Sequence, residues 1–306
     1  MSDGGWIGVR VPATSANLGP GFDCFGLALG LYDEVEVRPA KQTLVAVSGE
    51  GAAVVPRTEC HLILRAIRAT MDELGGQPRP AGLALRTTNR VPHGRGLGSS
   101  AAAITAGVLA GLQLADHGPD AALALHVACR LEGHPDNVAA CLRGGLTISW
   151  YEGRWGERPH VLRLDPHPTL GPVAFIATGQ ASTAKSRMAL PATVPHRDAA
   201  FNAGRAALLV HALTQAPDLL LAATEDRLHQ PYRLPAMPES SRLLTRLRAA
   251  GVPAVLSGSG PTVLALTRSG AERDLALGLV AHDSGDAAYR ARALPVDGIG
   301  AVVRGG

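Results

Sequence analysis

From Ala101 to Leu114 the chain is almost entirely alanine, glycine and aliphatic residues, a run that predicts a helix. Upstream, Trp6 to Val11 reads as a short strand ending at Pro12, and Pro12 to Asp23 reads as a loop rich in Pro, Gly, Ser and Asn. Leu31 to Arg38 alternates as a half-buried strand, with Thr43 to Ser48 expected as its partner. A helix from near Thr58 to Leu74 is closed by Gly75-Gly76, and a strand over Leu83 to Thr87 follows. Asp120 is placed to cap a helix over Ala121 to Leu131, and a short helix through Leu142 precedes a strand over Leu146 to Trp150. Trp150 to Pro168 is polar and contains three prolines, so a domain junction is expected there, with units at 1–158 and 159–306. Beyond it the pattern predicts a strand at Val173 to Thr178 and helices near 197–214, 217–228 and 239–250. Strands at Ala254 to Ser257 and Thr262 to Leu266 come next, then one more helix and one or two strands after Ser269. No internal repeat is present.

With 306 residues, 46% apolar and 18% charged, the chain can bury two modest cores. Its net charge of +3 comes from scattered arginines, and Lys41 and Lys185 are its only lysines. No basic run is interleaved with aromatics, so nucleic-acid binding has little support. An arginine-rich chain more readily contacts carboxylates or phosphates of small ligands. Cys24, Cys60, Cys129 and Cys141 lack Cys-x-x-Cys spacing, which argues against structural zinc. Met1 to Gly5 is no charged-then-apolar leader, and no apolar stretch has membrane-span length. A soluble, cytoplasmic protein is expected.

The candidate chemistry centres on Val91-Pro92-His93-Gly94-Arg95-Gly96-Leu97-Gly98-Ser99-Ser100-Ala101. Alternating glycines deliver the chain to a helix N-terminus, where free N–H groups and the helix dipole favour an anion. Ser99 or Ser100 can cap that helix while the other reaches a phosphate or a metal. The loop is no P-loop, because the Gly-Lys-Ser/Thr ending is missing. Gly96-x-Gly98-x-x-Ala101 loosely fits a dinucleotide fingerprint, but the acidic residue expected about 20 positions on is absent. Glu132 ends the helix begun at Ala121, where its charge opposes the dipole by about 0.3–1 kcal/mol. Either Arg130 or a divalent cation near the phosphates can offset that. His134, Asp136 and Asn137 follow closely, and Ser257-Gly258-Ser259-Gly260-Pro261 forms a second glycine turn.

Three segments together, Pro12 to Asp23, Gly94 to Ala101 and Ser257 to Thr262, resemble the small-molecule kinases that include galactokinase, homoserine kinase, mevalonate kinase and phosphomevalonate kinase. The first segment and Glu132 to Asn137 with Gly144-Gly145 look like homoserine kinases in particular. The resemblance implies an α+β chain of two domains: an N-terminal ribosomal protein S5 domain 2-like unit that binds nucleotide and a ferredoxin-like C-terminal unit. It implies transfer of a phosphoryl group from ATP, with Mg²⁺, to L-homoserine. It further implies that Val91 to Ala101 wrap the phosphates and that Ser100 and Glu132 hold the metal. Asn17, Asp23, His134, Asp136 and Asn137 would line the amino-acid pocket. Arg187 and Arg233 would grip the carboxylate, with Thr183 nearby, and Gly258 to Gly260 would pack against the substrate and the phosphate loop. Asp23 would answer the ammonium, Asn137 or Asn17 would orient the hydroxyl, and no dedicated base is expected. Around Glu59-Cys60-His61 the adenine-facing asparagine common in such kinases has no counterpart. Mevalonate-type relatives usually carry a loop lysine, which is absent here. A homodimer is the assembly the resemblance suggests. A sister kinase for another alcohol and a dinucleotide-dependent oxidoreductase are the alternatives.

Overall fold

A computed structural model describes residues 5–75, 79–281 and 289–304, apart from the side chains of Thr183 and Ala281. The first strand, β1 (Ile7–Ala16), runs five residues past the expected end at Val11. It continues through Pro12 because its ladder to β2 (Phe25–Ala40) shifts register between Pro12 and Ala13, which absorbs the proline. β3 (Leu44–Gly49) was expected to pair with β2. Instead it lies parallel to β4 (Gly82–Asn89), joined by the crossover helix α1 (Leu62–Leu74). His61 caps α1, so the helix begins later than Thr58.

The apolar run forms α2 (Ser99–Leu114). Its N-cap is Gly98 in a left-handed conformation with no side-chain cap bond, so neither serine caps it. A Cβ on Gly107 would lie 2.5 Å from Ile63 O, so this glycine permits the close approach of α1. α3 (Ala121–Glu132) is capped by Asp120, as expected. α4 (Asp136–Arg143) packs against β1 and β2, where a Cβ on Gly26 would fall 2.2 Å from Asp136 O.

β5 (Leu146–Tyr151) pairs with β2, and β6 (Pro159–Leu164) folds back on β5. The expected junction at 158/159 therefore falls inside a hairpin. The second sheet holds β7 (Gly171–Ala177), β8 (Ala254–Leu256), β9 (Val263–Thr267) and β10 (Tyr289–Ala293) in the antiparallel order β10-β7-β9-β8. Between β7 and β8 come α5 (Thr183–Met188), α6 (His196–Thr214), α7 (Leu220–Ala223), α8 (Gln230–Arg233) and α9 (Pro238–Ala249). The helix expected over 217–228 is thus a 3-10 turn at Pro217–Leu219 followed by the single turn of α7. α10 (Gly270–Ala281) covers the second sheet, and β11 (Val302–Arg304) returns to pair with β1.

One apolar cluster joins the two sheets. Val91, Leu97, Leu18 and Leu27 pack with Leu209, Leu213, Val255 and Leu264, all fully buried. Cys129 and Cys141 are buried in core clusters. Among the described residues no helix is long and apolar enough to cross a membrane.

Candidate active site

The loop between β4 and α2 takes its shape from three left-handed glycines: Gly94, Gly96 and Gly98 have φ of 66, 75 and 70°. A Cβ on Gly96 would come within 2.3 Å of Ser257 O, and one on Gly98 within 1.9 Å of Thr14 Oγ1. Val91, Leu97 and Ala101 are buried anchors, and Pro92 is buried beside them. Asp33 accepts from the N–H groups of Arg90 and Val91 at 2.6 and 2.8 Å, fixing the loop's entry. The Arg95 guanidinium donates to Ala177 O and Thr178 O at 2.7 and 2.9 Å, so it straps the loop to the end of β7. Ser257 Oγ donates to Gly96 O at 2.6 Å, tying in the second glycine turn.

Ser100 Oγ donates to Glu132 Oε1 at 2.6 Å, joining the start of α2 to the end of α3. Burial pushes the Glu132 carboxyl pKa up, and the Ser100 bond offsets part of this. Arg130 pairs with Glu73 at 2.7 Å, so it is not the partner that offsets the dipole cost at Glu132. His134 Nδ1 lies 2.8 Å from Asp136 Oδ1, which also accepts from the Asn137 N–H at 2.7 Å. Burial opposes a charge on His134, but Asp136, Glu132 and Asp23 outweigh it and hold its pKa up at about 9. Thr14 Oγ1 donates to Asn137 Oδ1 at 2.7 Å. The Asn137 amide is therefore oriented with its NH₂ left to donate.

The turn after β1 is held by Asn17, whose Nδ2 donates to Gly258 O and whose Oδ1 accepts from the Asp23 N–H, at 2.9 and 3.0 Å. Asn17, Leu18 and Asp23 all have positive φ. Such backbone is uncommon outside glycine and clusters at functional sites. Asp23 takes a bidentate pair from Arg187, at 2.7 and 2.9 Å. That hydrogen bonding holds the Arg187 pKa up. Arg233 is 3% exposed and donates to Gly258 O at 3.1 Å.

These pieces face one cavity of about 200 Å³. A family model for the GHMP kinases N terminal domain matches residues 61–145, and one for the GHMP kinases C terminal matches residues 199–281. A homoserine kinase of Streptomyces avermitilis is 57% identical over 265 residues, covering 85% of each chain. One of Clavibacter michiganensis is 48% identical over 308 residues, covering 99% of this chain and 96% of that one. The crystal structure of homoserine kinase from Cytophaga hutchinsonii superposes with a TM-score of 0.84 at 27% identity, covering 99% of both chains.

The chain belongs to the homoserine kinase family of GHMP kinases.

For this member of the homoserine kinases, most residues singled out in the sequence converge. Asn17, Asp23, Gly94, Gly96, Gly98, Ser99, Ser100, Glu132, His134, Asp136, Asn137, Arg187 and Arg233 all line the cavity. Gly260 does not: a Cβ there would meet Met237 Sδ and Leu256 Cδ1, so it packs inward, while Gly258 and Ser259 of the same expected stretch line the wall. Thr183 opens α5, but its side chain lies outside the described residues. Ala16 and Ala181 are additions to the wall, and Thr14 is bonded to Asn137 without lining the cavity. Thr14 was hidden inside a segment read as loop, and the two alanines carry no chemical signal. His93, Ser99 and Ser100 also line a neighbouring cavity of about 210 Å³ with His61, Asp33 and Asn89. The loose dinucleotide fingerprint has no supporting βαβ unit, because α2 is followed by α3 and α4 rather than by a strand.

Proposed function

We propose that this chain transfers the γ-phosphoryl group of ATP to the side-chain hydroxyl of L-homoserine, releasing ADP and O-phospho-L-homoserine. The observation that carries this reading is the Asp23–Arg187 pair beside Arg233, in the same small cavity as the glycine loop. Homoserine brings an ammonium and a carboxylate together with its hydroxyl. An anion facing two cations is the complement of that zwitterion. Substrate can enter by exchanging partners, its carboxylate taking the guanidinium and its ammonium taking Asp23.

The loop N–H groups and the N-terminus of α2 bind the phosphates. The neighbouring cavity, which shares Ser99 and Ser100, takes the nucleoside end. Ser100 and Glu132 suit Mg²⁺: they are hard oxygen donors, Glu132 is a half-buried carboxylate bonded to the Ser100 hydroxyl, and Mg²⁺ commonly uses one or two protein ligands plus substrate phosphates. When bound, the ion neutralises charge on the β- and γ-phosphates.

Asn137, fixed by Thr14, donates its amide to the acceptor hydroxyl oxygen and aligns it. No carboxylate in the cavity is free to act as a base, since Asp23 is held by Arg187, Asp136 by His134 and Glu132 by Ser100. This supports a mechanism of alignment and charge neutralisation, which a loose phosphoryl-transfer transition state permits. Protonated His134 adds a cation beside the reacting groups. A cytoplasmic location is part of this reading and accords with four unpaired cysteines.

The test is ADP release, coupled to an optical readout, with ATP and a panel of homoserine, serine, threonine and mevalonate. Homoserine is expected to give the highest kcat/KM. Equal or better turnover of mevalonate would overturn the acceptor assignment.

A further inference from the structure

Asp226, His229 and Arg233 lie three and then four residues apart, at the entry to and within α8. His229 is fully buried and does not line the cavity. Its Nδ1 is 3.1 Å from Arg233 Nη1, and its Nε2 is 2.8 Å from Gly19 O. A guanidinium can only donate, so Nδ1 must accept, and the ring proton then sits on Nε2 and donates to Gly19 O. One neutral tautomer satisfies both bonds. Burial favours that neutral form by pushing the His229 pKa down. Asp226, 3.5 Å from Nε2, is occupied by the N–H groups of Leu228, His229 and Gln230 at 2.8, 3.2 and 2.7 Å. It caps the segment and fixes where the ring stands.

The ring also reaches the other half of the acceptor site. Phe22 stacks on His229 with centroids 5.3 Å apart, and the guanidinium carbons of Arg233 and Arg187 lie 5.3 and 5.6 Å from the Phe22 centroid. Gly19, Phe22 and Asp23 belong to one turn. His229 therefore bonds to the turn that carries Asp23 at one nitrogen and to Arg233 at the other.

We infer that His229 is a positioning residue for the acceptor: a bracket locked in one tautomer that sets the separation of the Asn17–Asp23 turn from Arg233, and so tunes affinity for the amino-acid end of the substrate without touching it. This rests on the homoserine reading above.

Two near-isosteric variants divide the bracket. In His229→Asn the amide oxygen stands near the Nδ1 position, keeping an acceptor for Arg233 and dropping Gly19. In His229→Gln the amide reaches the Nε2 position, keeping Gly19 and leaving Arg233 without its partner. KM for homoserine and for ATP, kcat and Tm are measured for each. His229→Gln should raise the homoserine KM about tenfold, as loss of one hydrogen bond to a charged group does, while the ATP KM stays within about twofold. His229→Asn should raise the homoserine KM less. The effect of His229→Gln should vanish in an Arg233→Ala background. Parallel rises in both KM values would overturn the inference, as would an unchanged homoserine KM in His229→Gln. Failure of both variants to fold would also overturn it, since the residue would then be structural. Wild-type protein without homoserine-dependent ADP release would sink the functional reading itself, a result the variants are not needed to see.

Discussion

Gly98→Ala separates backbone strain from steric exclusion at the phosphate loop. At φ 70° an alanine carries a left-handed penalty of about 1–2 kcal/mol. Its Cβ would also stand 1.9 Å from Thr14 Oγ1 and 3.1 Å from Asn137 Oδ1. Thr14 cannot swing clear. It is fully buried, stiff at χ1, and already bonded to Asn137. Overpacking of this kind costs roughly 1–3 kcal/mol more, giving about 2–5 in total. Gly94→Ala is the control. Its φ of 66° carries the same backbone penalty, but the nearest atom to its Cβ is 3.6 Å away. Coupled ADP release and thermal unfolding are measured for both. A loop displaced by about 1 Å loses on the order of 100-fold in rate, so Gly98→Ala should fall by that much in kcat/KM and Gly94→Ala only a few-fold. Equal losses would refute the steric argument and leave conformational strain as the whole effect.

Asp23→Asn removes the anion between Arg187 and Arg233 and should raise the homoserine KM with kcat nearly intact; a collapse of kcat at unchanged KM would assign Asp23 to the chemistry instead. Arg187→Ala should raise the homoserine KM about tenfold or more and the ATP KM little, since a bidentate carboxylate grip is lost. A fall in ATP affinity would move Arg187 to the phosphates. Glu132→Gln should keep its fold by circular dichroism and lose activity most severely at low Mg²⁺; full activity there would remove Glu132 from the metal.

What was legible in the chain is what local chemistry dictates. The left-handed glycines before α2, the α2 and α3 helices and the Asp120 cap depend on neighbours in sequence and stand where expected, although Gly98 rather than Ser99 or Ser100 caps α2. The failures are tertiary. Prolines and serines argued for a loop after Val11, yet pairing with β2 extends β1 to Ala16 and buries Thr14 and Ser15. The partner of β3 is chosen by the crossover of α1, which strand alternation does not encode. Asn17 and Asp23 could be read as turn formers or as ligands. Asn17 closes the turn with its amide oxygen and ties it to Gly258 with its amide nitrogen, while Asp23 meets an arginine distant in sequence. His229 gave no signal, because its partners, Gly19 O and Arg233, become neighbours only when the two sheets close together.

The return of β11 to β1 bears on how the molecule is made. Gly8 pairs with Arg304 and Arg10 with Val302, so the strand that leads to the Asn17–Asp23 turn receives its outer neighbour from residues far along the sequence. During synthesis that edge of β1 stays open until residues 302–304 have emerged. A nascent chain stalled before residue 302 would carry the strand that leads to the Asn17–Asp23 turn with its outer edge unpaired, a ready template for pairing with another chain.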